Sequence, residues 1–233
     1  MIKLENIETY GWESAIRGMR NPMNSWCKSD SFHAFDEGTM DDIFVIGDND
    51  LALMKKLAAA GTDHRKFMRM INVTMDITAP LYWWKEFDTY KVGTVRNSCS
   101  TMHKIAAKKF TLDDFSREHL FTVDLQLYQV NDLEEETPVE LQTSALEILN
   151  ITIQALNRYR KLYLETNDKQ YWHQLIQLLP SSYNQRATIQ LNYEVLANMY
   201  KSRKNHKLDE WREFCKEIQK LPYSDLITGI LIS

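Results

Sequence analysis

The chain has 233 residues, 44% hydrophobic and 26% charged, which is the balance of a folded globular protein and excludes a chain that is mostly disordered. Its formal charge of −4 excludes a surface built all over for polyanions. The three cysteines, Cys27, Cys99 and Cys215, are far apart and form no CxxC pair, so a disulfide framework or a metal site is not indicated and a reducing compartment fits best.

The opening "MIKLENIETYG" alternates Ile2, Leu4 and Ile7 with polar neighbours and predicts a short strand, followed by a helix from Trp12 to about Arg20 that Asn21-Pro22 ends. No apolar run of signal-peptide type stands there, and no stretch approaches the roughly 18 apolar residues of a spanning helix. A cytoplasmic protein with no membrane partner is expected. Residues 24 to 47 read as loop. "GDNDLALMKKLAAAG" predicts a helix capped by Asp48 or Asn49, striped with Leu51, Met54 and Leu57, and stopped by Gly61. "RKFMRMINVTMDI" passes from helical or turn spacing to alternation at Ile71, Val73, Met75 and Ile77, a strand ending before Pro80.

The back half reads as mostly helical. Leu141, Leu146, Leu149, Ile153, Leu156, Tyr159 and Leu162 recur at three- and four-residue steps and predict one long amphipathic helix from about Pro138 to Glu165. "DKQYWHQLIQLLP", "ATIQLNYEVLANMYKSRK" and "LDEWREFCKEIQKLP" predict three more, the first stopped by Pro180 and the last before Pro222. The acidic run at 134 to 137 is read as a charged loop within one domain spanning 1–233.

Single residues carry two readings each. Cys99 near Lys91 or Arg96 has the setting of an activated thiolate, yet a small buried residue is the commoner use of such a cysteine. His64, just beyond a helix stop, serves either as a base or phosphate ligand or as the donor of a helix-end hydrogen bond. Trp83 and Trp84 offer a stacking platform, although neighbours on a strand face opposite ways and at least one belongs to the core.

The run "DHRKFMRMINVTMDITAPLYWWKEFDTYKVGTVRNSCSTMH" resembles the central segment of the flavin-dependent thymidylate synthases: a helix ending in Gly-His, a strand ending in Ala-Pro, and the signature RHRxxSxNxxSxR. His64 falls on the family histidine and Ala79-Pro80 on the Ala-Pro pair. "AIRGMRNPMNSW" is similar to the early "AAR" segment, and "LLPSSYNQRATIQLNYEVLANMYKSRKNHKLDEWREF" to the closing pattern, so the likeness covers most of the chain. The signature letters are exchanged. Arg-His-Arg becomes Thr89, Tyr90 and Lys91; the first Ser becomes Thr94, the Asn becomes Arg96, the second Ser becomes Cys99 and the last Arg becomes Thr101. The preceding Arg-Gln becomes Lys85 and Glu86, the Glu-His after the family histidine becomes Arg69 and Met70, and the arginine of Asn-Leu-Arg falls on Glu194.

The resemblance implies an α/β (α+β) fold with a mixed sheet, long helices and a helical C-terminal half. It implies a site in which His64, Lys66, Lys85, Tyr90 and Lys91 hold FAD while Thr94, Arg96, Cys99, Thr101 and Arg203 hold a pyrimidine nucleotide such as dUMP. Arginine grips phosphate with a two-pronged fork that lysine reproduces only as a point charge, and Glu194 in an arginine's place is expected to repel it. Arg65, Lys66, Arg69, Lys85, Lys91 and Arg96, against Glu86 and Asp88, keep an anionic ligand in view; a solvated charged surface is the plain alternative. NADPH and methylenetetrahydrofolate are implied only where catalysis is retained. A homotetramer is implied because the family builds each site from several subunits. The competing readings are a catalytically inactive descendant serving as a binding or regulatory module in a phage or mobile element, and, less favoured, a nucleic-acid binder using residues 91 to 109.

Overall fold

The computed structural model describes residues 2–36, 38, 41–123, 125–130 and 136–229. Strand β1 (Lys3–Tyr10) leads to helix α1 (Trp12–Arg20), the hairpin of β2 (Phe32–Asp36) and β3 (Asp41–Val45), and helix α2 (Asp48–Ala59). Strand β4 (Asn72–Pro80) runs into α3 (Leu81–Phe87), followed by β5 (Val95–Ser98), α4 (Thr101–Lys104) and the hairpin of β6 (Leu125–Val130) and β7 (Glu136–Thr143). Helices α5 (Ala145–Thr166) and α6 (Lys169–Leu178), strand β8 (Asn184–Asn192), and helices α7 (Tyr193–Arg203), α8 (Asp209–Ile218) and α9 (Asp225–Thr228) complete the order. The α+β class read from the sequence is borne out. Among the described residues no helix is long and apolar enough to cross a membrane.

The chain divides into two compact units. The sheet unit comprises Ile2–Thr78, Lys85–Asn97 and the chain from Arg186 on; the helical unit comprises Ala79–Trp84 and Ser98–Gln185 with Met1.

In the sheet unit the strands are ordered β1-β4-β8-β5, with β1 and β4 antiparallel. Alternation builds the sheet's buried face: Val73, Met75 and Ile77 of β4 and Ala187, Ile189 and Leu191 of β8 are sealed, while the residues between them are not. On the other face the Asp76 carboxylate accepts from Thr188 Oγ1 (2.5 Å), Arg186 Nη2 (2.8 Å) and Asn6 Nδ2 (2.8 Å), stitching β1, β4 and β8 with side chains. Those bonds, the one from Thr188 foremost, hold the Asp76 carboxyl well below the usual carboxylate range. Met54, Phe67, Met68, Ile71, Tyr193 and Trp211 are among the unit's sealed side chains.

Asp50 organises the loop between α1 and α2. It is fully buried, and its carboxylate accepts from Arg20 Nε (2.6 Å), Ser29 Oγ (2.6 Å), Ser31 Oγ (2.7 Å) and the Asp30 and Ser31 amides (3.2 and 3.1 Å). Burial alone would raise this carboxyl; the bonds from Ser29, Ser31 and Arg20 outweigh it and hold it below its ordinary value. Asp30 in turn caps α2, accepting from the amides of Asn49 (2.8 Å) and Asp50 (3.0 Å). The expected cap at Asp48 or Asn49 is therefore corrected: Gly47 occupies the cap position, and the capping oxygens come from the side chain of Asp30, earlier in the chain. A Cβ on Gly47 would run into the Asp30 carboxylate, so only glycine admits this cap.

The helical unit packs α5 and α6 around Ile105, Phe110, Phe115, Leu149, Ile153, Leu156 and Leu175. Helix α5 starts where Ser144 Oγ accepts the Glu147 amide (3.2 Å) and ends at Asn167, whose φ of 56° closes the last turn.

Four further expectations are corrected. Residues 24 to 47 are not all loop but hold a 3-10 turn at Trp26–Lys28 and the β2–β3 hairpin, whose register pairs Phe32 with Val45. The long helix does not begin at Pro138; Pro138 to Thr143 belong to β7, and the helix starts at Ala145 behind the Ser144 cap. "ATIQLN" is the end of β8 and not the start of a helix, because Ala187, Ile189 and Leu191 alternate and Asn192 then caps α7 through the Val195 amide (3.0 Å). Strand β4 also continues through Pro80. Of the acidic run at 134 to 137, read above as a charged loop, residues 134 and 135 lie outside the described residues, and Glu136 and Thr137 belong to β7 rather than to a loop.

Candidate functional site

Within the sheet unit the signature segment descends from the end of α3 through a turn at Lys91–Gly93 into β5. Gly93 has φ +77°, a left-handed conformation that any Cβ opposes, and a Cβ there would lie 3.0 Å from Asn192 Nδ2 and 3.1 Å from Val195 Cγ2. Glycine thus lets the turn lie directly against the first turn of α7. The next residue, Thr94, carries a hydroxyl that is buried with no hydrogen-bond partner in the protein.

On α3, Glu86 is the hub of a polar and aromatic cluster at the C-terminal end of α7. Its Oε2 accepts from Arg203 Nη1 (2.7 Å) and Trp211 Nε1 (3.1 Å), and His206 Nε2 lies 3.4 Å away. Arg203 Nε donates to Tyr90 Oη (3.0 Å), and its guanidinium lies over the rings of Trp211 (4.8 Å) and Tyr90 (5.7 Å). One arginine is thereby fixed by a carboxylate, a phenol and two aromatic faces. Arg96 is held separately, its Nη1 donating to both oxygens of Asp88 (2.7 and 2.6 Å).

At the other end of α7 the Glu194 carboxylate accepts from Arg69 Nε and lies 3.5 Å from Arg65 Nε; Arg65 Nη2 donates to Asn198 Oδ1 (3.1 Å). The bond from Arg69 lowers the Glu194 carboxyl, and the same bond raises Arg69. Two arginines against one carboxylate leave this cluster cationic, and the Arg69 side chain remains 56% exposed. The expected repulsion of phosphate by Glu194 meets a covered charge: the sequence places arginine and carboxylate on exchanged elements, and the structure pairs them.

Of the sequence-derived site residues, Tyr90 and Arg203 are brought into direct contact. Lys85 is exposed on α3 and Lys91 on the signature segment, and His64 and Lys66 are exposed at the 3-10 turn Arg65–Arg69. His64 donates its backbone amide to Gly61 O (3.1 Å). Cys99 and Thr101 belong to the helical unit. Cys99 is exposed and not the small core residue that such a cysteine commonly is: it lies just past the end of β5, and its carbonyl accepts from Gln185 Nε2 (2.7 Å). Trp83 and Trp84 offer no open stacking face: they lie on a helix, are sealed at 0% and 1% exposure, and pack edge-on with centroids 4.9 Å apart. Trp84 Nε1 donates to Gln185 O (2.9 Å), as a buried indole requires.

Sequence reasoning noted Glu86 as a countercharge but missed its partners Trp211 and His206, which lie 120 or more residues further along the chain. The only available signal was the concentration of charged and aromatic side chains after α7. Among the described residues, no group of His, Cys, Asp or Glu side chains could hold a metal ion.

No protein-family model and no curated protein sequence matches the chain. Solved structures do. The chain is similar to thymidylate synthase X from Helicobacter pylori, crystallised with FAD and dUMP, at 17% identity and a TM-score of 0.65, with 100% of each chain covered. It is also similar to the UMP/dUMP methylase PolB from Streptomyces cacaoi, bound with 5-Br dUMP, at 11% identity and a TM-score of 0.54, covering 94% of this chain and 88% of that one. At these identities the likeness is one of fold: the chain has the flavin-dependent thymidylate synthase fold from end to end, as the sequence resemblance implied.

Proposed function

We propose that residues 1–233 form one nucleotide-binding domain that takes FAD and a pyrimidine monophosphate and methylates dUMP or a related pyrimidine. The observation that carries this reading is the end-to-end likeness to a chain crystallised with both ligands. A second similar chain is a UMP/dUMP methylase, which keeps the substrate class at pyrimidine monophosphates without fixing the sugar.

The residues present fit phosphate-bearing ligands. Lys66, Arg69, Lys85 and Lys91 are exposed cations of the sheet unit, and the buried Thr94 hydroxyl has a hydrogen bond left to give. In this reading Lys91, which the resemblance gives to FAD, is reassigned to the nucleotide beside the unpartnered Thr94 hydroxyl, and Arg69 with Lys66 and His64 meet the FAD phosphates. Glu86 and Tyr90 hold Arg203 rigid, so its ordering entropy is spent on folding and not on binding. Bound FAD would supply the redox step that turns a transferred carbon into a methyl group. Methylenetetrahydrofolate and NADPH are the matching carbon and electron donors. A homotetramer, as the sequence resemblance implies, working in the cytoplasm completes the reading.

The test is the absorbance spectrum of the purified protein together with thermal shifts by FAD and dUMP. A yellow protein, stabilised by both ligands and able to support a thymidine-requiring strain, is the expected result. A colourless protein with no shift from either ligand overturns the reading. Lys91→Ala should weaken the dUMP shift, and an unchanged shift removes Lys91 from the site.

A further inference from the structure

The sheet unit holds a cavity of about 350 Å³ that the reading above does not use, lined by α2, the C-terminal half of α7, α9 and Arg65. That volume stands at the low end of small-molecule sites. Four cations face it, Lys55, Arg65, Lys201 and Lys204, against one carboxylate, Asp225. Asp225 is committed to Lys55, with Oδ2 2.7 Å from Nζ. Glu194 stands outside the cavity and is shared between Arg69 and Arg65. Among the described residues, neither Lys201 nor Lys204 meets a carboxylate. Like charges gathered in one recess repel one another, and a bound anion relieves that repulsion.

Two features set the class of that anion. Lysines carry most of the charge, and an ammonium is a compact point charge with three donors on a pliant stem, suited to a small anion of dense charge. The cavity also has no ring to offer a base or a flavin. Tyr200 is the one aromatic side chain among the described lining residues; it is buried, its hydroxyl accepts from Gln219 Nε2 (2.6 Å), and Lys204 Nζ lies over its ring, 5.6 Å from the centroid. The remaining wall is small and aliphatic, with Ala58, Ala197 and Leu226.

We propose that this cavity binds a compact polyvalent anion without a ring, held by Lys55, Lys201, Lys204 and Arg65. Short phosphate chains and tricarboxylates share that chemistry. The bound anion ties α2 to the end of α7, two elements whose cations otherwise push apart. The site needs neither flavin nor pyrimidine, nor any residue of the signature segment.

The full-length protein would be titrated by calorimetry with diphosphate, tripolyphosphate and citrate, each in phosphate-free buffer at about 0.15 M NaCl. Saturable binding of at least one, tighter than about 1 mM, is expected, and the tightest probe identifies the head group as phosphate or carboxylate. Lys201→Ala and Lys204→Ala should each weaken it roughly tenfold, and Lys201→Glu should abolish it. Both lysines are exposed, so the variants keep the fold, which circular dichroism checks. Lys161→Ala removes the same charge from the exposed face of α5 in the helical unit and should leave the affinity unchanged. The proposal fails if none of the three probes binds, if Lys201→Glu binds as well as the wild type, or if Lys161→Ala weakens binding as much as Lys201→Ala does. Because Arg65 adjoins His64 and Lys66, the titration is repeated with saturating FAD. An unchanged affinity supports a separate site, whereas displacement assigns the cavity to the flavin's own phosphates and overturns the proposal. A protein that takes the anion and no FAD loses the reading above and keeps this one.

Discussion

Two of the sheet unit's arginine–carboxylate clusters, Arg20–Asp50 and Arg69–Glu194, differ in almost everything but their chemistry. Arg20–Asp50 is sealed, with side-chain exposures of 5% and 0%, and every further bond to the carboxylate comes from the loop it closes. Arg69–Glu194 buries the acid at 8% exposure but leaves the base at 56%. The first is spent entirely inward. The second fixes a guanidinium while leaving much of it open to solvent, which is the arrangement a ligand site needs. Burial of the cation, and not the presence of the pair, separates a structural tie from a usable charge.

The largest effect that tests this contrast is Asp50→Ala. It leaves Arg20 buried without its carboxylate and frees the hydroxyls of Ser29 and Ser31, so a loss of about 3–5 kcal/mol is expected in urea unfolding. A loss below about 1 kcal/mol would show that water reaches Arg20 freely and that the cluster is no tie at all.

The acid limb of the stability curve is the next measurement. Asp50 and Glu194 both have folded values below their ordinary ones, so their stabilisation is complete above about pH 4 to 4.5 and is lost as pH falls through the folded values. Wild-type stability should therefore fall steeply below about pH 4, and Asp50→Ala should flatten that limb. An unchanged slope in the variant would assign the acid sensitivity to other carboxylates, with Asp76 the first candidate.

How far these features could be read in advance depends on whether the signal was local. Helices α1, α2, α6 and α8 were legible because three- and four-residue apolar steps coincide with nearby stops, such as Pro180 after α6. The β2–β3 hairpin was not, since Phe32, Phe35 and Ile43 are exposed and no burial pattern marks a face. At β8 the apolar period changes from two to about four across Asn192, and a window spanning both sides reads as one helix. The signature segment was found by family resemblance, whereas the Glu86 hub joins residues 117 and 125 positions apart and no periodicity records that. Arg69 and Glu194 each looked like a lost site residue when read singly; their pairing, across 125 positions, is visible only in the fold.

Glu194→Ala carries a smaller expected cost. The freed Arg69 guanidinium is already hydrated, and Arg65 keeps its bond to Asn198, so a loss of about 1 kcal/mol is expected by thermal or urea unfolding. A loss approaching that of Asp50→Ala would mean that the second cluster is as structural as the first, and the distinction between them would collapse.

Salt separates the two most finely. At 1 M NaCl the screening length is about 3 Å, and screening acts on charges that ions can approach. The cost of Glu194→Ala should shrink by a few tenths of a kcal/mol between 0.1 and 1 M NaCl, because exposed pairs contribute little beyond their unscreened attraction. The cost of Asp50→Ala should not change, since hydrogen bonds inside a sealed loop are beyond the reach of ions. If Arg69 is a ligand-facing guanidinium, phosphate should add to this difference beyond what chloride does at equal ionic strength. An anion that bridges the open side of Arg69 stabilises the folded state by mass action, and Arg69→Gln should abolish that increment. Equal responses to phosphate and chloride would leave Arg69 a screened surface charge, and the anion would have to be sought nearer Lys91 and Thr94.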